Sequence, residues 1–379
     1  MSILLRIAKL GLRFLYLLFR PFPVRNKVAF FSRQSSNIPL DFRMLAEEIQ
    51  RQSPETEVKF FCRKMRRKTN ILTYSIFILK SLYHMATASV AVTDTYSIQM
   101  CILGHKKEQT FVQIWHAVGA VKQFSYQCLD RPGGQSSVLA RAMDMHRNYD
   151  YVLCTSEATR QFYAQGFQML PEQILVKGMP RVDYIREPAP ELRERFLEER
   201  PELAGKWLLL YLPTFREGVA RGAAALTAAF AGMEDVALLV KPHPMSHLTV
   251  APEHQVGKGW STYDMLKVCD GIVTDYSAAS LEASLLDKPV YLYLYDYDEY
   301  QQEQGLNIDL WQELPNASFR EAEALVQAVA EETYDWAALT EYRKKYIETG
   351  EKNNTEEITA FLLEQMPSRL RREKEPVEV

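Results

Sequence analysis

Two histidines follow apolar segments of the strand type, and both side chains can exchange protons near neutral pH. His116 comes at the end of the apolar run in QIWHAVGAVK, beside a glycine-containing turn. His243 stands between two prolines that fix its backbone, close to Lys241. Histidine is the usual general base at this pH, and a rigidly held histidine beside a lysine suits a phosphoryl group that loses its leaving group. A lone histidine is more often structural, so the case depends on the surrounding residues.

A second cluster, YLPTFR, places a hydroxyl and a guanidinium directly after another apolar run. The proline ends the predicted strand, which leaves Thr214 and Arg216 in the loop that follows. The Arg216 guanidinium could hold a phosphate by two parallel hydrogen bonds. An ordinary surface arginine is the alternative for this cluster taken alone.

The third cluster, DGIVTDYSAASLEA, has the pattern of a strand, a turn and a helix. Asp275 or Ser277 is placed to cap the helix, and small residues follow. Free backbone N–H groups at that helix start, together with the hydroxyls of Ser277 and Ser280, would form a phosphate cradle. An ordinary helix cap is the alternative.

The histidines near His243 raise the question of a metal site. His247 and His254 follow it, but the prolines around His243 exclude the helix on which an HxxxH or HExxH zinc site is built. We therefore expect no metal ligands here. A divalent ion could still assist at substrate phosphates without a dedicated protein cage.

Strand-type runs alternate with helical patterns along most of the chain, which predicts parallel sheets covered by helices. In such sheets ligands lie at the carboxyl ends of the strands, where all the clusters above fall. The predicted strands are residues 27–32, 57–62, 89–93, 110–115, 151–155, 174–178, 207–212, 236–241, 271–274 and 290–294.

A charged, proline-containing stretch at residues 186–206 separates two α/β halves. The sequence therefore predicts two Rossmann-type domains that face each other across a cleft. His116 lies in the first half and the other clusters lie in the second, so each wall would supply one reactive group. The predicted divisions are residues 1–22 for an N-terminal helix, 23–190 and 191–350 for the two domains, and 351–379 for a C-terminal helix with a charged tail.

The N-terminal residues 3–20 are apolar but interrupted by basic side chains, which fits neither a signal peptide nor a spanning helix. Wound as a helix at about 100° per residue, the basic side chains fall in a stripe roughly 60° wide. This pattern predicts an amphipathic helix in a membrane interface, with its basic stripe toward anionic head groups. A core-packing helix with solvated basic residues is the alternative. The basic residues are Arg6, Lys9, Arg13 and Arg20.

A second basic run, residues 63–68, precedes the apolar segment 71–80 and could extend this surface. A solvated loop followed by a core helix is the alternative for that stretch.

Composition narrows the class of protein further. The chain is 47% hydrophobic and 25% charged with a formal net charge of −3, and this balance does not suggest bulk nucleic-acid binding. Its five cysteines are scattered and odd in number, which indicates free thiols in a reducing compartment rather than a disulfide framework or a zinc site.

Taken together and in this order, these clusters resemble the CDP-glycerol glycerophosphotransferase family of wall teichoic acid synthesis, in both its primase-like and its polymerase-like members. The likeness covers residues 113–300 closely, and the strand–helix alternation extends it over most of the chain. The matching segments are QIWHAVGAVKQF, KGMPRVDYI, YLPTFRE, VKPHP and DGIVTDYSAASLEASLLDKPVYLYLYDYDEY.

The resemblance implies a GT-B-like fold and transfer of a polyol phosphate from a CDP-alditol, with release of CMP. His116 matches the family's proposed base, and His243 matches the histidine near the donor phosphates. The expected substrate-binding positions are Arg216, Thr214, Lys241, Asp275, Ser277, Ser280 and Glu282, with Asp296 in the last matching segment.

The resemblance also implies partners and a location. These are CDP-glycerol or another CDP-alditol, a lipid-linked saccharide acceptor, an anionic membrane surface at the cytoplasmic face of a bacterial membrane, and no nucleic acid. A GT-B glycosyltransferase that uses a nucleotide sugar is the alternative enzyme, because it shares the fold and the phosphate cradle. A membrane-associated scaffold without activity is the alternative that is not an enzyme.

Overall fold

Parallel strands alternate with helices along the chain and form two separate sheets. The computed structural model describes residues 2–64, 70–331, 333–347, 350 and 353–370. Each predicted strand is confirmed by an overlapping observed strand, and the short last strand is an addition. The strands are β1 (Arg25–Ser32), β2 (Glu57–Cys62), β3 (Ala88–Thr93), β4 (Thr110–Gln113), β5 (Tyr151–Cys154), β6 (Ile174–Val176), β7 (Trp207–Leu212), β8 (Val236–Val240), β9 (Gly271–Thr274), β10 (Val290–Tyr293) and β11 (Ser318–Phe319).

Helices connect these strands and cover the sheets. They are α1 (Ser2–Phe19), α2 (Leu40–Gln52), α3 (Ile71–Thr87), α4 (Ile98–Leu103), α5 (Ser137–Ala142), α6 (Glu157–Phe167), α7 (Pro180–Arg186), α8 (Pro190–Glu199), α9 (Val219–Phe230), α10 (Thr262–Val268), α11 (Ala279–Ser284), α12 (Tyr297–Glu303), α13 (Leu310–Glu313), α14 (Ala322–Ala330), α15 (Trp336–Tyr346) and α16 (Asn354–Glu364).

The first sheet has the order β2-β1-β3-β4-β5-β6, and the second has the order β11-β10-β9-β7-β8. The strand pairs of both sheets are parallel. Successive side chains of β1 and of β7 enter hydrophobic clusters on opposite faces of their sheets. Burial on both faces explains why these strands are almost continuously apolar in the sequence, and it confirms the α/β prediction with two sheets.

The C-terminal helix returns to the first sheet. α16 packs on α2 and α7, although the chain reaches it only after the second sheet. Its start is held by Asp183, whose carboxylate accepts from the backbone N–H of Asn354 (3.1 Å) and of Thr355 (2.7 Å). The domain divisions at residues 22, 190 and 350 remain a prediction.

The N-terminal helix is docked on the first sheet rather than detached from it. α1 packs on α3 and α4, Tyr16 is buried, and Leu12 and Phe19 lie against the same cluster. The predicted orientation of its basic stripe is wrong for Lys9, whose ammonium contacts Asp144 Oδ2 at 2.5 Å. Arg13 remains exposed, although its Nε donates to the backbone oxygen of Ile102 (3.4 Å). The rest of the protein therefore contacts part of the basic stripe, because the stripe borders the face of α1 that packs on α3 and α4.

The opposite face of α1 is apolar and open. Its exposed side chains continue onto the outer face of α3, so the two helices share one outward apolar surface. No helix within the described part of the chain is long and apolar enough to cross a bilayer. The exposed apolar residues of the two helices are Ile7, Leu10, Phe14, Leu17, Leu18, Leu72, Ile76 and Leu79. Most of the predicted basic run, residues 65–68, and the end of the charged tail, residues 371–379, lie outside the described residues.

Candidate active site

The loops that follow β4, β7 and β9 line one cleft of about 650 Å³ between the two sheets. Backbone hydrogen bonds join the walls at one side. Gln123 N donates to Gly305 O (3.0 Å), and Asn307 N donates to Val121 O (2.9 Å). The cleft therefore lies where the sequence places it, at strand ends contributed by both halves of the chain.

His116 lies in the turn after β4, and its ring is held in one tautomer. The indole of Trp115 packs on the imidazole with ring centroids 4.2 Å apart. Nδ1 lies 3.0 Å from the backbone oxygen of Asp94. Because a carbonyl oxygen only accepts, Nδ1 carries the proton and Nε2 keeps a free lone pair. Burial lowers the pKa of His116 to about 4, and nearby Arg181 and Lys122 oppose its protonation as well, so the imidazole is neutral at pH 7.

His243 is held in the opposite tautomer. The backbone N–H of Met245 donates to its Nδ1 at 3.2 Å, so the ring proton resides on Nε2. The imidazole is exposed and stacks on Phe215, which lines the cleft (ring centroids 6.1 Å apart). Burial and the charge of Lys122 lower the pKa of His243, so it is a neutral N–H donor at pH 7. The two histidines therefore present a lone pair and a donor, respectively.

Lys122 supplies a positive charge inside the cleft, although it was not among the predicted site residues. The charge of Lys122 opposes protonation of both histidines. The carboxylate of Asp275 in turn favours the charged form of Lys122. Burial nevertheless lowers the pKa of Lys122. Among the described residues, none forms a hydrogen bond or salt bridge with its ammonium. A desolvated cation without a partner is a site for an anionic substrate group.

Arg216 lines the cleft, but its predicted pair of hydrogen bonds to a phosphate is not available in this arrangement. Nε and Nη2 both contact the carboxylate of Asp296 (2.5 and 3.0 Å), and Nη1 contacts Asp275 Oδ2 (2.6 Å). These carboxylates raise the pKa of Arg216 further above its usual range. The fork that would grip a phosphate is occupied by Asp296, so Arg216 acts first as the counterion of two buried carboxylates.

Asp275 and Thr214 lie beneath that ion pair. Both carboxylate oxygens of Asp275 accept from the backbone N–H of Thr214 (3.1 and 3.0 Å), which ties the end of β9 to the end of β7. The hydroxyl of Thr214 is buried and has no partner among the described residues. Lys241, from the next strand, points elsewhere, because its ammonium donates to the backbone oxygen of Trp260 (2.8 Å).

The helix after β9 differs from the predicted phosphate cradle. α11 begins at Ala279, and neither Asp275 nor Ser277 forms a side-chain cap at its N-cap position. Ser277 Oγ accepts from the N–H of Ala279 (3.2 Å) in the turn before it. Ser280 Oγ is buried against Tyr342 Oη (2.9 Å), so its hydroxyl does not face the cleft. The small side chains at the start of α11 allow close packing of this helix.

Comparison with known proteins agrees with this geometry. A family model described as CDP-Glycerol:Poly(glycerophosphate) glycerophosphotransferase matches residues 13–364. The chain belongs to this family. It is 30% identical over 357 residues to the teichoic acid ribitol-phosphate primase of Bacillus spizizenii, covering 90% of this chain and 92% of that protein. It is 25% identical over 300 residues to the teichoic acid glycerol-phosphate primase of Bacillus subtilis, covering 76% of each.

The fold has a solved counterpart. The structure of the H548A variant of the wall teichoic acid polymerase TagF superposes with a TM-score of 0.70 at 19% identity, and the match covers 98% of this chain and 96% of that chain. The likeness shows the GT-B-like arrangement of two α/β domains that the sequence predicts.

Arg181, a further residue of this glycerophosphotransferase-family chain, joins the two walls of the cleft. The guanidinium of Arg181 is buried and forms an ion pair with Asp41 on α2 and another with Glu282 on α11 (Nη1 to Oε1, 3.3 Å). Its Nη1 also donates to Tyr263 Oη (2.6 Å) and to the backbone oxygen of His116 (2.9 Å). Glu282, which is predicted to bind substrate, is a partner in this cluster, and its predicted role stays a prediction. The signal for Arg181 was present, since KGMPRVDYI is one of the matching segments.

The loop that carries His116 also depends on a glycine. Gly119 has a φ of +67°, and a Cβ at this position would lie 2.4 Å from Leu281 Cδ1 on α11. Tyr163 Oη donates to the backbone oxygens of Ala117 and Gly119 (3.1 Å each). The positive φ favours glycine at this position, and its small size lets the loop of the first domain lie against the Leu281 side chain of the second domain's helix.

Within the described residues, no group of three or more His, Cys, Asp or Glu side chains is arranged to hold a metal ion. The five cysteines are free, and four of them are buried.

Proposed function

We propose that this chain transfers a polyol phosphate from a CDP-alditol to a hydroxyl group of an acceptor and releases CMP. The observation that carries the proposal is that the two histidines are held in opposite tautomers, with His116 in the cleft and His243 stacked on Phe215 of the cleft wall. Lys122, whose ammonium has no partner among the described residues, opposes protonation of both. Family membership and the names of the relatives support the donor class.

The geometry suggests how the residues divide the work. Nε2 of His116 takes the proton of the acceptor hydroxyl, and the oxygen attacks the distal phosphorus of the donor. A new P–O bond forms to the acceptor while the bond from that phosphorus to the bridging oxygen breaks, and CMP leaves with the bond's electron pair. Lys122 and the Nε2–H of His243 stabilise the charge on the phosphates. Asp275 and Arg216 fix the donor-side loops.

The polyol is glycerol or ribitol. CDP-glycerol is the donor that the sequence resemblance implies, and the family description also names glycerol. The relative that is 30% identical is named a ribitol-phosphate primase, which favours CDP-ribitol. Both donors therefore belong in the first assay.

The acceptor that we propose is a lipid-linked saccharide, or the teichoic-acid-type polymer that grows on it, at the cytoplasmic face of a bacterial membrane. The outward apolar surface of α1 and α3 supports peripheral attachment, since so many exposed large apolar side chains on two adjacent helices are unusual for a surface that stays in water. Arg6 on α1 and Arg20, which directly follows that helix, are exposed and available to anionic head groups.

The test measures CMP release from CDP-glycerol and from CDP-ribitol, with and without a lipid-linked disaccharide, for the wild type, His116→Ala and His247→Ala. His247 is an exposed histidine outside the cleft and serves as the matched control. We expect acceptor-dependent release that His116→Ala lowers by about 10²–10⁴-fold and His247→Ala leaves unchanged. Full activity in His116→Ala would exclude this base. Release from UDP-sugars but from neither CDP-alditol would favour the glycosyltransferase alternative.

A further inference from the structure

A second cavity of about 300 Å³ lies in the first domain, at the carboxyl ends of β1 and β3 and beneath α1 and α3. It shares no lining residue with the cleft that holds His116. Most of its wall is apolar, and its size matches the lower end of small-molecule sites. The apolar side chains of its wall include Leu12, Phe31, Phe61, Phe77, Ile78 and Ile98.

The rim of this cavity carries two arginines. Arg33 is exposed and makes only a long contact to the backbone oxygen of Tyr96 (3.4 Å). Arg63 donates to the backbone oxygen of Thr73 (3.1 Å) and lies over the rings of Tyr74 and Phe77, 5.4 and 5.3 Å from their centroids. In the part of the chain that the structure describes, no acidic side chain forms a salt bridge with either arginine. The cavity thus combines an apolar interior with uncompensated positive charge at its entrance.

The inner end of the cavity adjoins the loop segment that contacts His116, the proposed general base. Thr93 and Thr95 line it, and the residue between them, Asp94, accepts the hydrogen bond from His116 Nδ1. Thr95 Oγ1 is buried and has no partner among the described residues. A ligand in this cavity would therefore lie on the far side of a single loop segment from the reacting hydroxyl.

The outer walls of the same cavity are the two helices with the outward apolar surface. Side chains on one side of α1 and α3 line the cavity, and side chains on the other side form that surface. If the surface rests on a bilayer, the cavity lies directly beneath the two helices that contact the lipid. An apolar chain could then leave the bilayer and enter the cavity without crossing much water, which favours its burial.

We propose that this cavity binds the apolar chain next to the phosphate of the lipid that carries the acceptor, and that Arg33 and Arg63 contact that phosphate. The inference rests on the proposed function for the identity of the lipid. The apolar wall accounts for the chain, and the guanidinium groups account for the phosphate, since a planar fork matches its oxygens. Such a site would hold the acceptor at a fixed distance from His116.

The first experiment measures binding directly and needs no donor. Farnesyl monophosphate, farnesol and inorganic phosphate are titrated into the full chain in detergent below the probes' own aggregation limits. We expect farnesyl monophosphate to bind at least about tenfold more tightly than either of the other probes, because each of them retains only one half of the recognition.

Two substitutions locate the site. Ala8→Trp adds an indole at a residue that lines the cavity, and Gly11→Trp adds the same group on α1 where no atom lies within 4 Å of the new Cβ. Ala8→Trp is expected to weaken farnesyl monophosphate binding at least about tenfold, and Gly11→Trp to leave it unchanged. Equal effects of the two variants, or no binding by the wild type, would overturn the proposal. Far-UV circular dichroism confirms that each variant is folded.

The arginines are tested by the double variant R33Q/R63Q, for which farnesyl monophosphate should bind no better than farnesol. An unchanged preference for the phosphate would contradict their assignment. Turnover gives an independent readout: Ala8→Trp should raise KM for a long-chain acceptor and leave KM for a short-chain acceptor unchanged. Equal rises in the two KM values would contradict the cavity assignment. Failure of the proposed function would show as no CMP release from any acceptor, whereas the binding titration would be unaffected.

Discussion

Arg181 Nη1 donates a hydrogen bond of 2.9 Å to the backbone oxygen of His116, and the same guanidinium is paired with carboxylates from both domains. Asp41 lies on a helix of the first sheet, and Glu282 lies on a helix of the second. The orientation of His116, the proposed general base, is therefore coupled to an ion cluster between the two domains. Burial raises the pKa of Glu282, so its charged form depends on the arginine.

We expect Arg181→Leu to destabilise the protein by about 3–5 kcal/mol, because it leaves buried carboxylates without a counterion. Transfer activity should fall as well, since the His116 loop loses a donor. Urea unfolding and CMP release measure the two effects. Arg320→Ala, which removes an exposed arginine paired with Asp298, is the control and should change neither. A variant that unfolds like the wild type would contradict the cluster's structural role.

Lys122→Met should weaken donor binding while the fold is retained. Among the described residues its ammonium forms no hydrogen bond or salt bridge, so removing this desolvated charge should not reduce stability. Loss of a charge-assisted contact to a phosphate should raise KM for the CDP-alditol about 10–100-fold. Lys122→Arg keeps the charge and should recover part of the loss. Unchanged KM in Lys122→Met would remove this residue from the donor site.

Arg216→Lys tests whether Arg216 holds carboxylates or substrate. A lysine can contact Asp275 or Asp296 but cannot keep both oxygens of Asp296 in a fork. We expect a lower unfolding midpoint together with lower kcat, because the donor-side loops lose their anchor. Arg221→Lys, an exposed neighbour, should leave both values unchanged. A change in KM alone, without loss of stability, would favour direct phosphate binding.

The fold was largely predictable because parallel strands buried on both faces leave long apolar runs in the sequence. β11 escaped this pattern because it has only two residues. The docking of α1 was harder to predict, since a helical wheel shows the position of Lys9 on the helix but not its partner. That partner, Asp144, lies 135 residues along the chain.

The candidate site was likewise predictable only in part. Residue types and strand ends correctly placed His116 and Arg216 at one cleft. The ion pairs of Arg216 were not predictable, because the two carboxylates that it contacts belong to residues 59 and 80 positions away in the sequence. Arg181 was missed for the same reason, with partners 140 and 101 residues distant. Sequence patterns predict which side chains reach a strand end, whereas long-range pairing decides which of them remain free for a ligand.

The outward apolar surface of α1 should carry membrane attachment. The double variant L10E/F14E replaces two side chains that are 62% and 63% exposed. Each Leu or Phe contributes about 1.5–3 kcal/mol when it is buried, so binding to anionic vesicles should fall by more than about tenfold. Leu170→Glu changes an equally exposed leucine outside the helix pair and should leave binding unchanged. Co-sedimentation of both variants to the same extent as the wild type would exclude this surface.

The histidines also predict a pH dependence of stability. Burial lowers the pKa of His84 to about 4 and that of His146 to about 3, as it does for His116. The unfolded chain takes up protons on these side chains below their usual pKa of about 6.5, whereas the folded chain resists until the lowered values. These three histidines should therefore lower stability as the pH falls from about 6.5 toward 4, and together they outweigh Asp94, whose pKa burial raises to about 7 and which acts in the opposite direction. Urea unfolding at each pH measures this and defines the range in which activity can be read.

Within that range, the activity profile should report the ionisation of His116. Because kcat/KM follows the free enzyme, its acid limb should lie near the lowered pKa of about 4 rather than near the usual value for histidine. The charge of Lys122 opposes protonation of His116, so Lys122→Met should raise that pKa and move the acid limb to higher pH. Lys122→Arg, which keeps the charge, should leave the limb in place. A limb that is identical in all three proteins would show that the titrating group lies outside the reach of Lys122, and His116 would no longer be the base.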